Sequence, residues 1–87
     1  MNKIILEITG LEQCEEIFIL QNKFKKDFGE NIWKTNELYD LIINKKLHGF
    51  INSWDENIIA FCIFKKIDDF IEIYSIFVHP EYRKEGI

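Results

Sequence analysis

The segment FIEIYSIFVHPEYRKEGI, residues 70–87, decides how this sequence is interpreted. Its first nine residues form an apolar run interrupted only by Glu72 and Ser75, which is typical of a buried β-strand. Pro80 ends the run, and Arg83-x-x-Gly86 follows. A strand that leads into a glycine-containing turn suits phosphate binding, because backbone N–H groups can approach the ligand there. The four-residue pattern alone recurs by chance, so its context has to support it.

Two further β-rich runs precede this segment. They cover residues 50–54 and 58–64 and are separated from each other and from the third run by short polar turns. Consecutive strands joined by short turns pair antiparallel, so the three runs predict a meander.

The first half of the chain predicts one strand and two helices. Residues 3–8 are rich in β-branched residues and form the predicted strand. Thr9 and Glu12 have the spacing of a capping box, and apolar residues recur at helical spacing from Leu11 to Phe28, broken at Gln21. Gly29 should end this helix, and a second one is predicted over about 34–46. The fold class is therefore α+β, in the order β-α-α-β-β-β.

The predicted elements leave apolar surface uncovered. Strands as apolar as residues 58–64 and 70–78 are usually covered on both faces. Two helices can cover one face of a four-stranded sheet, and no further helix is predicted for the other face. We therefore expect something other than these predicted elements to cover that face.

Composition excludes several classes of protein. The 87 residues are 47% hydrophobic with four Gly and one Pro, which excludes a disordered chain. The net charge is −4 and Arg83 is the single arginine, so we expect no nucleic-acid binding. No apolar run approaches the length of a membrane span, and we expect no membrane association.

The two cysteines, Cys14 and Cys62, lie in apolar runs without a histidine or second cysteine at metal-ligand spacing. They are interpreted as reduced thiols that act as small hydrophobic residues. We therefore predict no metal site and a cytoplasmic location.

With its context, the segment resembles the GNAT superfamily of N-acetyltransferases. Residues 78–87 are similar to that family's coenzyme A motif, (Arg/Gln)-x-x-Gly-x-(Gly/Ala), and residues 72–78 are similar to the strand before it. The order of predicted elements is also that of the N-terminal half of the GNAT fold. Residues 33–38 and 72–83 are most similar to ribosomal-protein-alanine N-acetyltransferases and their relatives.

The resemblance implies which residues bind acetyl-CoA. Backbone groups of the strand would hold the pantetheine arm, at Ile76, Phe77 and Val78. The loop amides that hold the pyrophosphate would be those of Arg83, Lys84, Glu85, Gly86 and Ile87. A strand N–H at a splayed or bulged position near Phe77 would polarise the thioester carbonyl.

Glu72 is the candidate general base. It lies within the apolar run, and burial would raise its pKa towards that of a group able to deprotonate an ammonium. The alternative is a strand-edge carboxylate that faces solvent or pairs with a lysine. The resemblance places the family's general-acid tyrosine, and the glutamate often assigned as base in the alanine acetyltransferases, beyond residue 87.

Two functions follow. The first is a single acetyltransferase domain, residues 1–87, truncated inside its coenzyme A motif, whose chemistry is acetyl transfer to an amine such as a protein N-terminus. On its own such a chain should bind acetyl-CoA weakly or undetectably and be inactive, because a phosphate site depends on the helix behind it. The second is a non-catalytic remnant or half-protein that forms a homodimer or pairs with a separate C-terminal half.

Overall fold

The structure, a computed structural model, describes residues 3–55 and 57–85. Its sheet contains four antiparallel strands in the order β1-β2-β3-β4. The strands are β1 (Lys3–Glu7), β2 (His48–Trp54), β3 (Asn57–Ile67) and β4 (Phe70–Val78). The predicted meander is confirmed, and within the described residues β1 and β4 form the two edges of the sheet.

Three helices connect β1 to β2, where two were predicted. They are α1 (Leu11–Lys23), α2 (Lys25–Phe28) and α3 (Thr35–Ile43). The long predicted helix divides because Phe24 leaves helical geometry, at φ −118° and ψ 46°. Its ring lies 5.3 Å from that of Phe77 in β4, so the break accompanies a tertiary contact that the local pattern does not contain. Gly29 ends α2 at a positive φ of 59°, as predicted.

The predicted capping box is shifted by one residue. Gly10, not Thr9, is the N-cap of α1, so the third helical position is Gln13 instead of Glu12. The Oε1 atom of Gln13 accepts hydrogen bonds from the backbone N–H groups of Thr9 and Gly10, at 2.7 and 3.0 Å. The amide thus satisfies two donors at the helix start, which is the function that a capping box serves.

The core lies between the helices and one face of the sheet. Its buried side chains come from α1, α3 and the three long strands, and include Ile17, Leu38, Ile51, Ile63 and Phe77. Since side chains alternate along a strand, residues that pair with these by register point to the same face.

The opposite face of the sheet is apolar and open in the described part of the chain. Ile5, Phe50, Ile73 and Ile76 lie on it by register, and each has an exposed side chain. Phe64 is the exception, because the rings of His48 and Phe50 stack against it. The expectation that the helices would cover one face only is therefore confirmed for these residues.

Candidate functional site

A cleft of about 950 Å³ separates β4 from the connection between α2 and α3. One wall is residues 74–78 of β4, and the other is residues 27–34 with Glu37 of α3. Arg83 of the 3₁₀ helix Pro80–Glu85 lies at the same cleft. The strand predicted to hold pantetheine and the first residue of the predicted phosphate loop therefore line one site.

The backbone of β4 presents groups to the open edge of the sheet. The N–H of His79 donates to the carbonyl of Ile59 at 2.7 Å, and Phe77 pairs with Phe61 in the same register. Because antiparallel ladder bonds involve alternate residues, the N–H and C=O groups of Ile76 and Val78 point away from β3. Of the three predicted pantetheine-binding residues, Ile76 offers both of its backbone groups at this edge and Val78 offers its N–H, since Nε of Arg83 donates to the Val78 carbonyl. Phe77 uses its backbone in the ladder.

The bulge in β4 lies three residues before Phe77. The register between β3 and β4 shifts between Ile63 and Phe64, opposite Ser75 and Ile73, so Tyr74 is the extra residue. The ladder is regular at Phe77 itself.

Aromatic packing fixes the position of β4 against α2. The Phe77 ring is 5.3 Å from Phe24, 5.2 Å from Phe28 and 5.8 Å from Phe61, between ring centroids. Phe77 is buried, so its side chain anchors the strand while its neighbours line the cleft.

Gln21 holds the far wall of the cleft. Its side chain is completely buried and bonds both backbone groups of Trp33: Oε1 accepts from the N–H at 2.9 Å and Nε2 donates to the C=O at 3.0 Å. Sequence reasoning missed this role. The pattern did contain an indication of it, because a polar residue within an apolar helical stripe needs hydrogen-bond partners in the interior. Trp33 itself lines the cleft.

The Arg83 side chain is held at three points. Its Nε donates to the carbonyl of Val78 at 2.8 Å, its Nη2 lies 3.5 Å from Oδ2 of Asp27, and its guanidinium lies 5.9 Å from the centre of the Phe77 ring. Sequence reasoning assigned the Arg83 amide to phosphate and did not foresee these side-chain contacts.

The remaining predicted loop residues are only partly described. The backbones of Lys84 and Glu85 belong to the 3₁₀ helix, whereas Gly86 and Ile87 lie outside the described residues. His79 is a turn residue: its carbonyl accepts from the N–H of Tyr82 at 2.9 Å, and its Nδ1 accepts from the N–H of Glu81 at 3.1 Å.

The burial expected for Glu72 is wrong: the side chain is exposed, lies opposite Lys65 in the strand register, and is outside the residues that line the cleft. The two cysteines are free, and burial raises the pKa of both thiols, so they are uncharged at neutral pH.

Residues 3–55 and 57–85 contain no cluster of His, Cys, Asp or Glu suited to a metal ion. No helix in these ranges is long and apolar enough to cross a membrane.

Residues 11–87 match the sequence profile of the acetyltransferase (GNAT) family, and the chain belongs to that family. Among curated proteins, none matches the sequence.

Solved structures share the fold at low sequence identity. A ribosomal-protein-alanine N-acetyltransferase from Brucella melitensis biovar Abortus 2308 has a TM-score of 0.75 and 17% identity over 100% of this chain and 64% of its own. An aminoglycoside acetyltransferase, meta-AAC0020, from an uncultured soil metagenomic sample, solved with sisomicin, has a TM-score of 0.76 and 14% identity over 98% and 61%. A possible acetyltransferase from Clostridium difficile 630 has a TM-score of 0.73 and 18% identity over 99% and 63%.

This chain thus spans less than two thirds of the length of these neighbours. The likeness supports the mixed α/β fold with an antiparallel sheet.

Proposed function

We propose that this chain forms the part of an acetyltransferase that binds acetyl-CoA and the acceptor amine, with a protein N-terminus as the acceptor. The observation that carries the proposal is the open edge of β4 at Ile76 and at the N–H of Val78, which lines a cleft beside Arg83. An extended pantetheine arm carries amides that can bond such an edge, as a peptide does when it adds to a sheet. The reduced thiols favour a cytoplasmic protein.

The proposed reaction transfers the acetyl group directly. The amine nitrogen attacks the thioester carbonyl carbon, the C–S bond breaks, and the thiolate of coenzyme A leaves and is protonated. The outward N–H of Ile76 or Val78 is the donor placed to stabilise the carbonyl oxygen as it gains negative charge. The proton lost by the amine goes to a base, for which Glu72 is the proposed residue.

Acetyl-CoA binding is the direct test. In a titration of the ¹⁵N-labelled chain followed by NMR, we expect saturable shifts at Ile76, Val78 and Arg83. The affinity should be weak, with a dissociation constant on the order of 1 mM, because one strand edge and a short loop supply the contacts. A second arm with acetate in place of acetyl-CoA should give no such shifts. Shifts confined to another surface, or none at all, would contradict the proposal.

Glu72→Gln tests the proposed base. If Glu72 accepts the proton, the substitution should lower about 100-fold at pH 7 whatever acetyl transfer to a peptide amine the chain supports, measured as release of free thiol over a long incubation. Binding of acetyl-CoA should not change. Glu37→Gln, which replaces an exposed carboxylate on the α3 side of the cleft, serves as the control. Activity equal to that of the unsubstituted chain would assign Glu72 a solvent-facing role opposite Lys65.

A second candidate function rests on the open face of the sheet. Ile5, Phe50, Ile73 and Ile76 expose apolar surface there, which a second copy or a complementing half would cover. On this proposal the chain is an interaction protein, and its mass by analytical ultracentrifugation should be twice 10.5 kDa or that of a heterodimer. A monomeric mass across the micromolar range would contradict the homodimer.

A further inference from the structure

The contacts of Arg83 suggest a role for Asp27 of α2, whose carboxylate lies beside the guanidinium. Arg83 follows Val78 by five residues, and its Nε–H···O bond to Val78 at 2.8 Å closes a loop that contains the start of the 3₁₀ helix Pro80–Glu85. The side chain therefore ties the segment after β4 back to the end of the strand. This bond uses one edge of the guanidinium and leaves Nη2 directed at α2.

Asp27 supplies the other attachment. Its Oδ2 lies 3.5 Å from Nη2 of Arg83, and the flanking Phe24 and Phe28 pack their rings on Phe77. Aromatic contacts on both sides hold α2 against β4, so the carboxylate has a defined position relative to the strand. The guanidinium lies over the same Phe77 ring, 5.9 Å from its centre.

We propose that Asp27 is a positioning residue for the coenzyme A site, holding the Arg83 side chain so that the segment after β4 stays beside the cleft. The inference rests on the proposed function. A lysine at position 83 could not replace the arginine, because one ammonium cannot bond the Val78 carbonyl and the Asp27 carboxylate in the same fixed geometry.

If Asp27 positions Arg83, removing its carboxylate should weaken acetyl-CoA binding, whereas its charge taken alone predicts the opposite. Acetyl-CoA carries negative phosphates, so removing any carboxylate near its site should favour binding slightly. A loss of affinity on removing Asp27 would therefore show that this residue acts by positioning Arg83, because its charge alone would have the opposite effect. Glu30 is the matched control, because it carries the same charge in the same cleft, three residues further along.

The test compares Asp27→Asn, Asp27→Glu and Glu30→Gln in the NMR titration with acetyl-CoA. The ion pair is partly exposed, with 38% and 48% of the two side chains accessible, so we expect a moderate effect. Asp27→Asn should weaken binding about three- to fivefold, Asp27→Glu should restore at least half of the loss, and Glu30→Gln should bind as tightly as the unsubstituted chain or more tightly.

The Arg83 Nε–H resonance is the second readout, and it needs no ligand. In Asp27→Asn its exchange with water should accelerate, whereas the midpoint of thermal unfolding should stay within about 2 °C because exposed pairs add little stability. Unchanged affinity in Asp27→Asn, or equal weakening in Glu30→Gln, would overturn the positioning role of Asp27 and leave the proposed function standing. Absence of saturable binding in the unsubstituted chain would instead contradict the proposed function, and with it any role of Asp27 in binding.

Discussion

Ile63→Ala is expected to remove a large part of the free energy of unfolding at 25 °C. Ile63 lies in the middle of β3, has no exposed surface and packs in the core between the sheet and the helices. Replacing a fully buried isoleucine with alanine costs about 2–5 kcal/mol, from lost apolar burial and the cavity that remains. A domain of this size has roughly 5 kcal/mol to lose. Urea denaturation followed by far-UV circular dichroism measures the change.

Ile73→Ala is the matched control for this prediction. Ile73 belongs to the neighbouring strand, opposite Phe64 in the register, but points to the open face and is 57% exposed. The same substitution should cost less than about 1 kcal/mol there, because little apolar surface leaves water on folding. Equal costs at the two positions would contradict the assignment of faces. A large cost at Ile73 that depends on protein concentration would show that a second copy covers this face.

Gln21→Leu should destabilise the fold by about 2 kcal/mol and disorder the wall of the cleft. Leucine matches the apolar surroundings of α1 but leaves the N–H and C=O of Trp33 without their partners. Each buried backbone group that loses its hydrogen bond costs about 1–3 kcal/mol, less where the loop can turn it to water. Urea denaturation gives the stability, and NMR of the Trp33 amide reports the loop.

Two further variants separate the hydrogen bonds from the general effect of a polar-to-apolar change. Asn22→Leu replaces an exposed polar residue next along the same helix and should alter stability by less than about 0.5 kcal/mol. Gln21→Glu keeps an oxygen that can accept from Trp33 N–H but loses the donor to its carbonyl and buries a carboxylate, so it should be at least as destabilising as Gln21→Leu at neutral pH. If Gln21→Leu is as stable as the unsubstituted protein, the loop does not depend on this side chain.

Local patterns were sufficient to predict the main elements of the fold. Apolar runs separated by short polar turns predicted β2, β3 and β4, because such turns leave antiparallel pairing as the available arrangement. The counts of helices and apolar strands also predicted that one face of the sheet would lie open. The break at Phe24 was not predicted, since its cause is a contact with Phe77, more than fifty residues away.

The candidate site was predicted in outline and completed by the structure. The resemblance of residues 72–87 to the GNAT motif selected Ile76, Phe77, Val78 and the loop that follows. Which of these strand residues offer free backbone groups depends on hydrogen-bond register, which the sequence does not specify. The catalytic assignment of Glu72 stays a prediction, since this residue lies outside those that line the cleft.

By itself, the sequence determined the class of fold, the order of the elements and the family to which the chain belongs. These properties depend on local periodicity, on turn residues and on a short motif, all of which lie close together along the chain. Only the tertiary structure decided that Gln21 would hold Trp33 and that Asp27 would hold Arg83. Such contacts join residues from separate elements, so they exist only once the packing of Phe24, Phe28 and Phe77 has fixed α2 against β4.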